Sequence, residues 1–438
     1  MQSRDVLIIG GGLTGLTAGY YLNKKLSYTI LEKEEEIGGL VRTIEDEEGF
    51  KFDFTGHLLH FRKREWKEFV FGLSIKLLET ERRSRIYLFD HYHLYPFQIH
   101  LSKLPKEIIY ECLYGFIKAW HKREIERESN IESFYDFIIY YLGEGIGKYF
   151  MIPYNRKLWG VDLKELSFEW TARFVPRPSL EEVLLGALGI KEIKTGYNAV
   201  FYYPEDGIGE LTKRLSDRVE GEILTSVCVK SVNIEKKILT ASNGDSYSYK
   251  VLISTIPLVE LLRLIEEELP EDIKTEAKKL RWVPLYYLDI ALDKKIPFDY
   301  HWIYVPEENT PIYRVGSYTN FSDKLAPEGK SSLYVELSIR DKEKVEEYLP
   351  KIFDYLKKMG LVISEKDIIY YRIRHIPYAY VIYDKNYGNA TKTIHSFLKD
   401  KNIISIGRYG YWNYSSMEDA LEMGKEGAKW AMKRIKEI

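Results

Sequence analysis

Gly10, Gly12 and Gly15 stand in the spacing G-x-G-x-x-G, directly after the apolar run Asp5–Ile9 (DVLII). A helical stretch, Leu16–Leu22, follows, and then a second apolar run, Tyr28–Leu31, that ends at Glu32. Strand, glycine turn, helix and strand in this order can hold a dinucleotide. The glycines permit a tight turn and let backbone approach a pyrophosphate, and the helix N-terminus offers free N–H groups and positive dipole. Glu32 stands where a carboxylate accepts hydrogen bonds from an adenosine ribose.

A second run narrows the cofactor. Gly38-Gly39-Leu40-Val41-Arg42-Thr43 has the form GG-x-x-R-T. It resembles the second signature of the flavin-containing amine oxidase/GDI-like superfamily, which wraps the FAD pyrophosphate and ribityl chain. The resemblance implies FAD, held by Gly10, Gly12, Gly15, Glu32, Gly38, Gly39 and Arg42.

Further segments, in order along nearly the whole chain, give a narrower resemblance. They are Gly56-His57 with His60, Tyr95-Pro96-Phe97-Gln98, Phe150–Trp159 (FMIPYNRKLW) and Gly196-Tyr197-Asn198-Ala199. Trp302–Glu307 (WIYVPE), Pro311–Arg314 (PIYR) and Gly407–Tyr414 (GRYGYWNY) complete the set. Together they resemble the UDP-galactopyranose mutase family, closer to its eukaryotic branch. That family interconverts UDP-galactopyranose and UDP-galactofuranose on reduced FAD, without net redox change. The resemblance implies attack of flavin N5 on the anomeric carbon, departure of UDP, ring opening on a covalent flavin–sugar adduct, and return of UDP.

The same resemblance assigns site residues. Arg314 contacts the diphosphate, a task suited to a bidentate guanidinium. A second family arginine is displaced: the segment 170–177 (WTARFVPR) aligns Phe174 at its position, leaving Arg173 or Arg177 to supply the charge. Tyr95 and Gln98 match uracil contacts, although Tyr-Pro-Phe-Gln also suits an ordinary strand edge. Asn155 matches a ribose contact and Trp159 an aromatic wall or core tryptophan. Trp302 and Tyr304 fall on the nucleotide side. Tyr380 and Tyr414 match phenols that donate to the phosphates. Asn198 and the loop residue His57 fall near sugar and flavin, and Arg408 near the flavin pyrimidine. The family tyrosine after Asn320 is here Phe321. A redox flavoenzyme of the amine oxidase or protoporphyrinogen oxidase type is the alternative. It needs an apolar or amine-accepting cavity, whereas this set suits an anionic nucleotide. NADPH as reductant, a related nucleotide sugar such as an arabinose derivative, and a homo-oligomer stay open.

The elements that must position these residues imply an α/β fold. A Rossmann-like FAD-binding domain (1–62, 199–260 and 395–438) is interleaved with a helical domain (103–160) and an antiparallel substrate sheet domain (63–102, 161–198 and 261–394). Helical periodicity marks 103–149, with Ile108, Ile109, Cys112, Leu113, Phe116 and Ile117 on one side. Strands are expected at Glu222–Leu224, Val227–Ile234, Ile238–Ala241 and Tyr249–Ser254, with a turn at Asn243-Gly244-Asp245. Antiparallel strands are expected over 283–337, a helix over 350–360, a strand over 402–407 and a closing helix over 419–438. Gly186, Gly189 and Gly196 could hinge a loop over 176–197.

The 438 residues suffice for two or three domains. A net charge of −2 gives no reason to expect nucleic acid. Two cysteines imply no disulfide framework, and no CxxC or HExxH pattern points to a metal. The first strand begins within a few residues of Met1 and no long apolar run occurs, so a cytoplasmic protein without signal peptide or membrane span is expected. Abundant Lys and Glu fit a thermophile.

Overall fold

The computed structural model describes residues 1–22, 26–125, 131–169, 175–190 and 200–438. Val6–Ile9 is apolar without alternation, the pattern of a strand covered on both faces, and all four residues are buried. Gln2–Ile9 lies between Tyr28–Leu31 and Ser246–Ser254, parallel to both. Glu222–Leu224 extends the sheet in parallel beyond Tyr28–Leu31. The strand Ser246–Ser254 is shared: its start pairs antiparallel with Ile238–Ala241, and its last three residues pair in parallel with Ile403–Ser405. Val229–Asn233 closes that edge. Gly244, at φ +85°, makes the expected turn.

The helix Leu13–Tyr21 leaves the first strand through the glycine turn. The closing helix, Met417–Glu437, packs across it, and starts at a reciprocal cap between Ser416 and Asp419. Gly424 permits this crossing, since a Cβ there would lie 2.6 Å from the Thr14 carbonyl oxygen.

A second seven-stranded sheet runs in the order Ile368–Val381, Trp282–Leu292, Ser331–Leu337, Ile312–Ser317, Trp302–Tyr304, Ser84–Leu88, His91–Leu94. Its pairings are antiparallel except that of Trp302–Tyr304 with Ser84–Leu88. The edge strand Ile368–Val381 escapes the sequence patterns because charged and aromatic residues alternate along it and Pro377 interrupts it. Proline is tolerated at a sheet edge, and the pairing shifts register there, between Val283 and Leu285.

Lys106–Ile125 and Phe134–Ile146 form the expected helical layer. A π-helical turn, Gly147–Met151, leads into the helix Ile152–Trp159, which ends at Gly160 with φ +63°. The helix expected over 350–360 is longer, Lys342–Lys358, and contains Pro350. Its true start is marked by Asp341, whose carboxylate accepts the Lys344 N–H at 3.1 Å. Among the described residues, no helix is long and apolar enough to cross a membrane.

Candidate functional site

The glycine turn is built by close approach. Gly10 has φ +102°, and a Cβ on Gly15 would lie 2.0 Å from the Gly10 carbonyl oxygen. Gly12 caps the helix Leu13–Tyr21 and bridges to Gly38, whose N–H donates to the Gly11 carbonyl at 2.8 Å. Gly38, at φ +112°, starts the second turn, and Arg42 Nε donates to the Gly39 carbonyl at 3.0 Å. The buried Glu32 carboxylate accepts from Gly11 N–H at 2.7 Å and Glu34 N–H at 2.9 Å. Two backbone donors leave lone pairs on that carboxylate for ribose hydroxyls.

At the far end of this cradle, buried polar atoms lack a protein partner. They include His57 Nδ1, Asn413 Oδ1 and Ser415 Oγ. Arg408 binds the backbone of two of these residues and acts on His57 by its charge. It donates to the Ser415 carbonyl at 2.8 Å and the Ala379 carbonyl at 3.0 Å, and its own carbonyl accepts the Asn413 N–H at 2.9 Å. Burial, and then the Arg408 charge, pull the His57 pKa down to about 4, so this imidazole is neutral at neutral pH. Glycines that leave backbone bare at a helix N-terminus, an acid with spare lone pairs, and these orphaned polar atoms fit FAD.

Asp53 ties the cradle together. It is fully buried, and its carboxylate accepts from Thr43 Oγ1 at 2.6 Å, Tyr203 Oη at 2.5 Å and Ile208 N–H at 3.3 Å. Burial raises its pKa to about 7. Thr55, two residues on, is held at φ +66°, a strained backbone for a β-branched residue. His57 thus follows a strained turn anchored at Asp53.

The substrate sheet presents Arg314. Its guanidinium makes a fork with the fully buried Glu336, Nε to Oε2 at 2.9 Å and Nη2 to Oε1 at 2.6 Å. Burial would lower the Arg314 pKa, but Glu336 outweighs it and holds it above the usual range. The residues are register partners on adjacent strands. The sequence signal was a lone acid in the apolar run Ser331–Leu337 opposite an arginine strand, a pairing invisible before register is known.

Tyr380 Oη lies 3.4 Å from Arg314 Nη2. Tyr380 stacks near Tyr414, with centroids 6.0 Å apart, and meets the edge of Trp159 at 5.7 Å. Arg408 lies over the Tyr414 ring at 4.5 Å. Burial raises the Tyr380 phenol to about 12, so it remains a donor. Tyr304 is the register partner of Arg314 and stacks on Tyr95 at 5.0 Å. Arg314, Tyr380, Tyr414, Arg408, Trp159, Tyr304 and Tyr95 therefore form one connected surface.

The other expected residues are arranged differently. Asn155 turns inward, donating to the Met151 carbonyl at 2.7 Å and accepting from Trp159 Nε1 at 3.3 Å. Gln98 is buried and donates to the Pro176 carbonyl at 3.0 Å. Trp302 is buried, its indole N–H without a partner. His60 Nδ1 contacts the Val200 carbonyl at 3.1 Å. Phe321 stacks on His301 at 5.6 Å, inside an aromatic cluster. Arg177 lies over Tyr141 at 4.6 Å and Phe137 at 5.0 Å, on the helical layer. Arg173 and Asn198 lie outside the described residues. Gly186 is a correction to the hinge expectation. It sits inside the helix Leu180–Ala187, where a Cβ would lie 2.0 Å from the Ile99 carbonyl, so it serves packing. Gly189, at φ +67°, follows that helix, and Gly196 lies outside the described residues.

The sequence profile described as flavin containing amine oxidoreductase matches residues 13–430. The chain belongs to this flavoprotein family. Membership implies FAD, in keeping with the cradle. Among relatives of this chain, a protoporphyrinogen oxidase of Dictyostelium discoideum is 24% identical over 60% of it. The chain spans 62% of that relative's length. Among solved structures, a reduced UDP-galactopyranose mutase superposes with a TM-score of 0.91 at 24% identity, covering 99% of this chain and 94% of the other. A putative protoporphyrinogen oxidase from Exiguobacterium sp. 255-15 superposes with a TM-score of 0.73 at 16% identity, covering 99% of each chain. These likenesses establish the shared α/β flavoprotein fold.

Proposed function

We propose that this flavoprotein interconverts UDP-galactopyranose and UDP-galactofuranose, with FAD in its reduced state. The observation that carries the reading is the connected polar surface of Arg314, Tyr380, Tyr414 and Arg408 beside the stacked pair Tyr95 and Tyr304. Two guanidiniums and two phenol hydroxyls offer donors to an anionic diphosphate. The Tyr95–Tyr304 pair offers aromatic faces for a base, at one strand's distance from Arg314.

Held by the Gly10–Gly15 turn, Glu32 and the Gly38–Arg42 turn, reduced FAD would supply nucleophilic chemistry at the anomeric carbon. The chain does the rest. Arg314, fixed by Glu336, holds the departing diphosphate in place for its return, and Tyr380 and Tyr414 donate to its oxygens. Neutral His57 orients without adding charge. Trp159 walls the sugar side and helps exclude water. Arg173 and Asn198 belong to the same proposal as a second cation and a sugar contact.

Dithionite-reduced protein incubated with UDP-galactofuranose tests this, with UDP-galactopyranose read by chromatography and oxidised protein as control. Conversion in the reduced sample alone is expected. Failure to convert, with flavin retained and no binding of UDP, would overturn the proposal. It would favour an oxidoreductase of the protoporphyrinogen oxidase type, the activity named for the Dictyostelium relative.

A further inference from the structure

Two basic side chains behind the aromatic wall, Lys157 buried and Arg340 half-buried, have no part in the scheme above. Lys157 lies in the helix Ile152–Trp159, between Asn155 and Trp159, and is 8% exposed. Its Nζ donates to the carbonyls of Val305 at 3.0 Å, Glu307 at 2.7 Å and Ile312 at 2.5 Å. An ammonium has three N–H donors, so all of them are spent on backbone. The three carbonyls bracket the connection between Trp302–Tyr304 and Ile312–Ser317, the hairpin that bears Tyr304 and Arg314.

Arg340 approaches the same helix from the sheet. Its Nη2 donates to the Lys157 and Leu158 carbonyls, both at 2.8 Å, in the helix's last turn. Its Nη1 donates to the Leu337 carbonyl at 3.0 Å and the Pro284 carbonyl at 3.1 Å. A guanidinium at a helix C-terminus is favoured by the dipole. Gly160, which ends the helix at φ +63°, leaves room for it: a Cβ there would lie 3.5 Å from Arg340 Nε.

Burying an ammonium and a guanidinium is costly unless their donors are met. Here carbonyls meet all of them except Arg340 Nε, and every carbonyl belongs to the helix, the hairpin or the strands beside them. The helix carries Asn155 and Trp159; the hairpin carries Tyr304 and Arg314. Beside the ring contacts of Tyr154 with Tyr304 and Tyr313, the polar link between the two halves of the site therefore runs through these two side chains.

We propose that Lys157 and Arg340 form a two-cation clamp that fixes the helix Ile152–Trp159 against the Tyr304–Arg314 hairpin, making both positioning residues for the nucleotide. The proposal rests on the nucleotide-sugar reading. A displacement of about 1 Å in such a site can cost on the order of a hundredfold. In FAD-loaded protein, Lys157→Met and Arg340→Met are compared with wild type for UDP dissociation constant by tryptophan quenching, for KM and kcat, and for flavin absorbance.

Each variant is expected to keep its flavin, to raise the UDP dissociation constant and KM roughly tenfold or more, and to change kcat much less. The double variant is expected to match the worse single one, since breaking either half releases the same contact. Arg340→Lys, which keeps a donor to the helix end, is expected to recover part of the affinity. It also serves as the test if a methionine variant fails to fold. Wild-type UDP affinity in folded, flavin-loaded variants would overturn the clamp while leaving the mutase reading standing. A wild-type protein that does not bind UDP would overturn the mutase reading and the clamp's nucleotide role with it.

Discussion

Arg314→Met separates what the Arg314–Glu336 fork does for stability from what Arg314 does for substrate. The substitution leaves Glu336, fully buried, without its cation. Removing one partner of a buried pair costs about 3–5 kcal/mol, because the remaining charge has neither water nor counter-ion. For 438 residues, an unfolding entropy of about 2.1 cal/mol/K per residue makes each kcal/mol worth about 1 °C, so Tm should fall by about 3–5 °C. Arg314→Met/Glu336→Leu removes both charges, and replacement of a buried pair by apolar residues is neutral to stabilising. The double variant should therefore regain most of the lost Tm.

Function should not return with it. A charge-assisted hydrogen bond is worth about 1.5–3 kcal/mol, so losing the diphosphate contact should lower kcat/KM by roughly tenfold to a hundredfold or more in both variants. The assays are thermal unfolding, UDP binding, and turnover of UDP-galactofuranose by reduced protein. Recovery of both Tm and UDP affinity in the double variant would refute the reasoning, since Arg314 would then be a structural ion pair alone.

Gly15→Ala should yield folded or misfolded protein without flavin absorbance, because its Cβ would lie 2.0 Å from the Gly10 carbonyl that shapes the turn. Flavin retained at wild-type stoichiometry would contradict this. Asp53→Asn should alter the pH dependence of stability. Burial raises Asp53 from 3.8 to about 7, so the folded state keeps a proton that the unfolded state has lost, and stability falls as pH rises through that window. At about 1.4 kcal/mol per pH unit, removing the ionisation should make the variant more stable than wild type at pH 8 by up to roughly 4 kcal/mol. Parallel Tm–pH curves for the two proteins would count against it.

The cradle was legible because its chemistry is local. Gly10, Gly12, Gly15, Glu32, Gly38 and Arg42 lie within one short stretch, where Gly15 is forced by a backbone approach and Gly10 and Gly38 by a positive φ. The first sheet was legible strand by strand, as continuous apolar runs, although its members come from separated parts of the chain. The substrate sheet was legible only where strands alternate cleanly. Ser84–Leu88 and His91–Leu94 carry charge and aromatics, and Pro377 breaks the long edge strand. Glu336, Lys157 and Arg340 could not be found in advance. A buried charge declares itself by its partner, and those partners are carbonyls and an arginine brought together only by register. The expected helix over 350–360 was misplaced because proline favours a helix's first turn. Here Asp341 supplies the cap and Pro350 sits mid-helix.

The charge balance of the site orders the roles of its two arginines. Arg314 is matched in place by Glu336, so before a ligand arrives the pair is close to neutral and contributes shape more than potential. Arg408 is different. Its hydrogen bonds go to the Ser415 and Ala379 carbonyls, and its faces meet the rings of Tyr414, Tyr380 and Tyr409. Among the described residues no carboxylate is hydrogen-bonded or ion-paired to it, so its full charge reaches the space beside Tyr380 and Tyr414, where at an effective dielectric of about 20 a unit charge at 4 Å is worth about 4 kcal/mol. Arg408 should then dominate the attraction of a dianionic diphosphate, and Arg314 its orientation. Arg408→Gln is expected to raise the UDP dissociation constant more than Arg314→Met/Glu336→Leu does, and to flatten its dependence on salt, since the long-range part of the attraction is the part that ions screen. A larger loss in the Arg314 double variant, with the salt dependence of Arg408→Gln unchanged from wild type, would reverse that order.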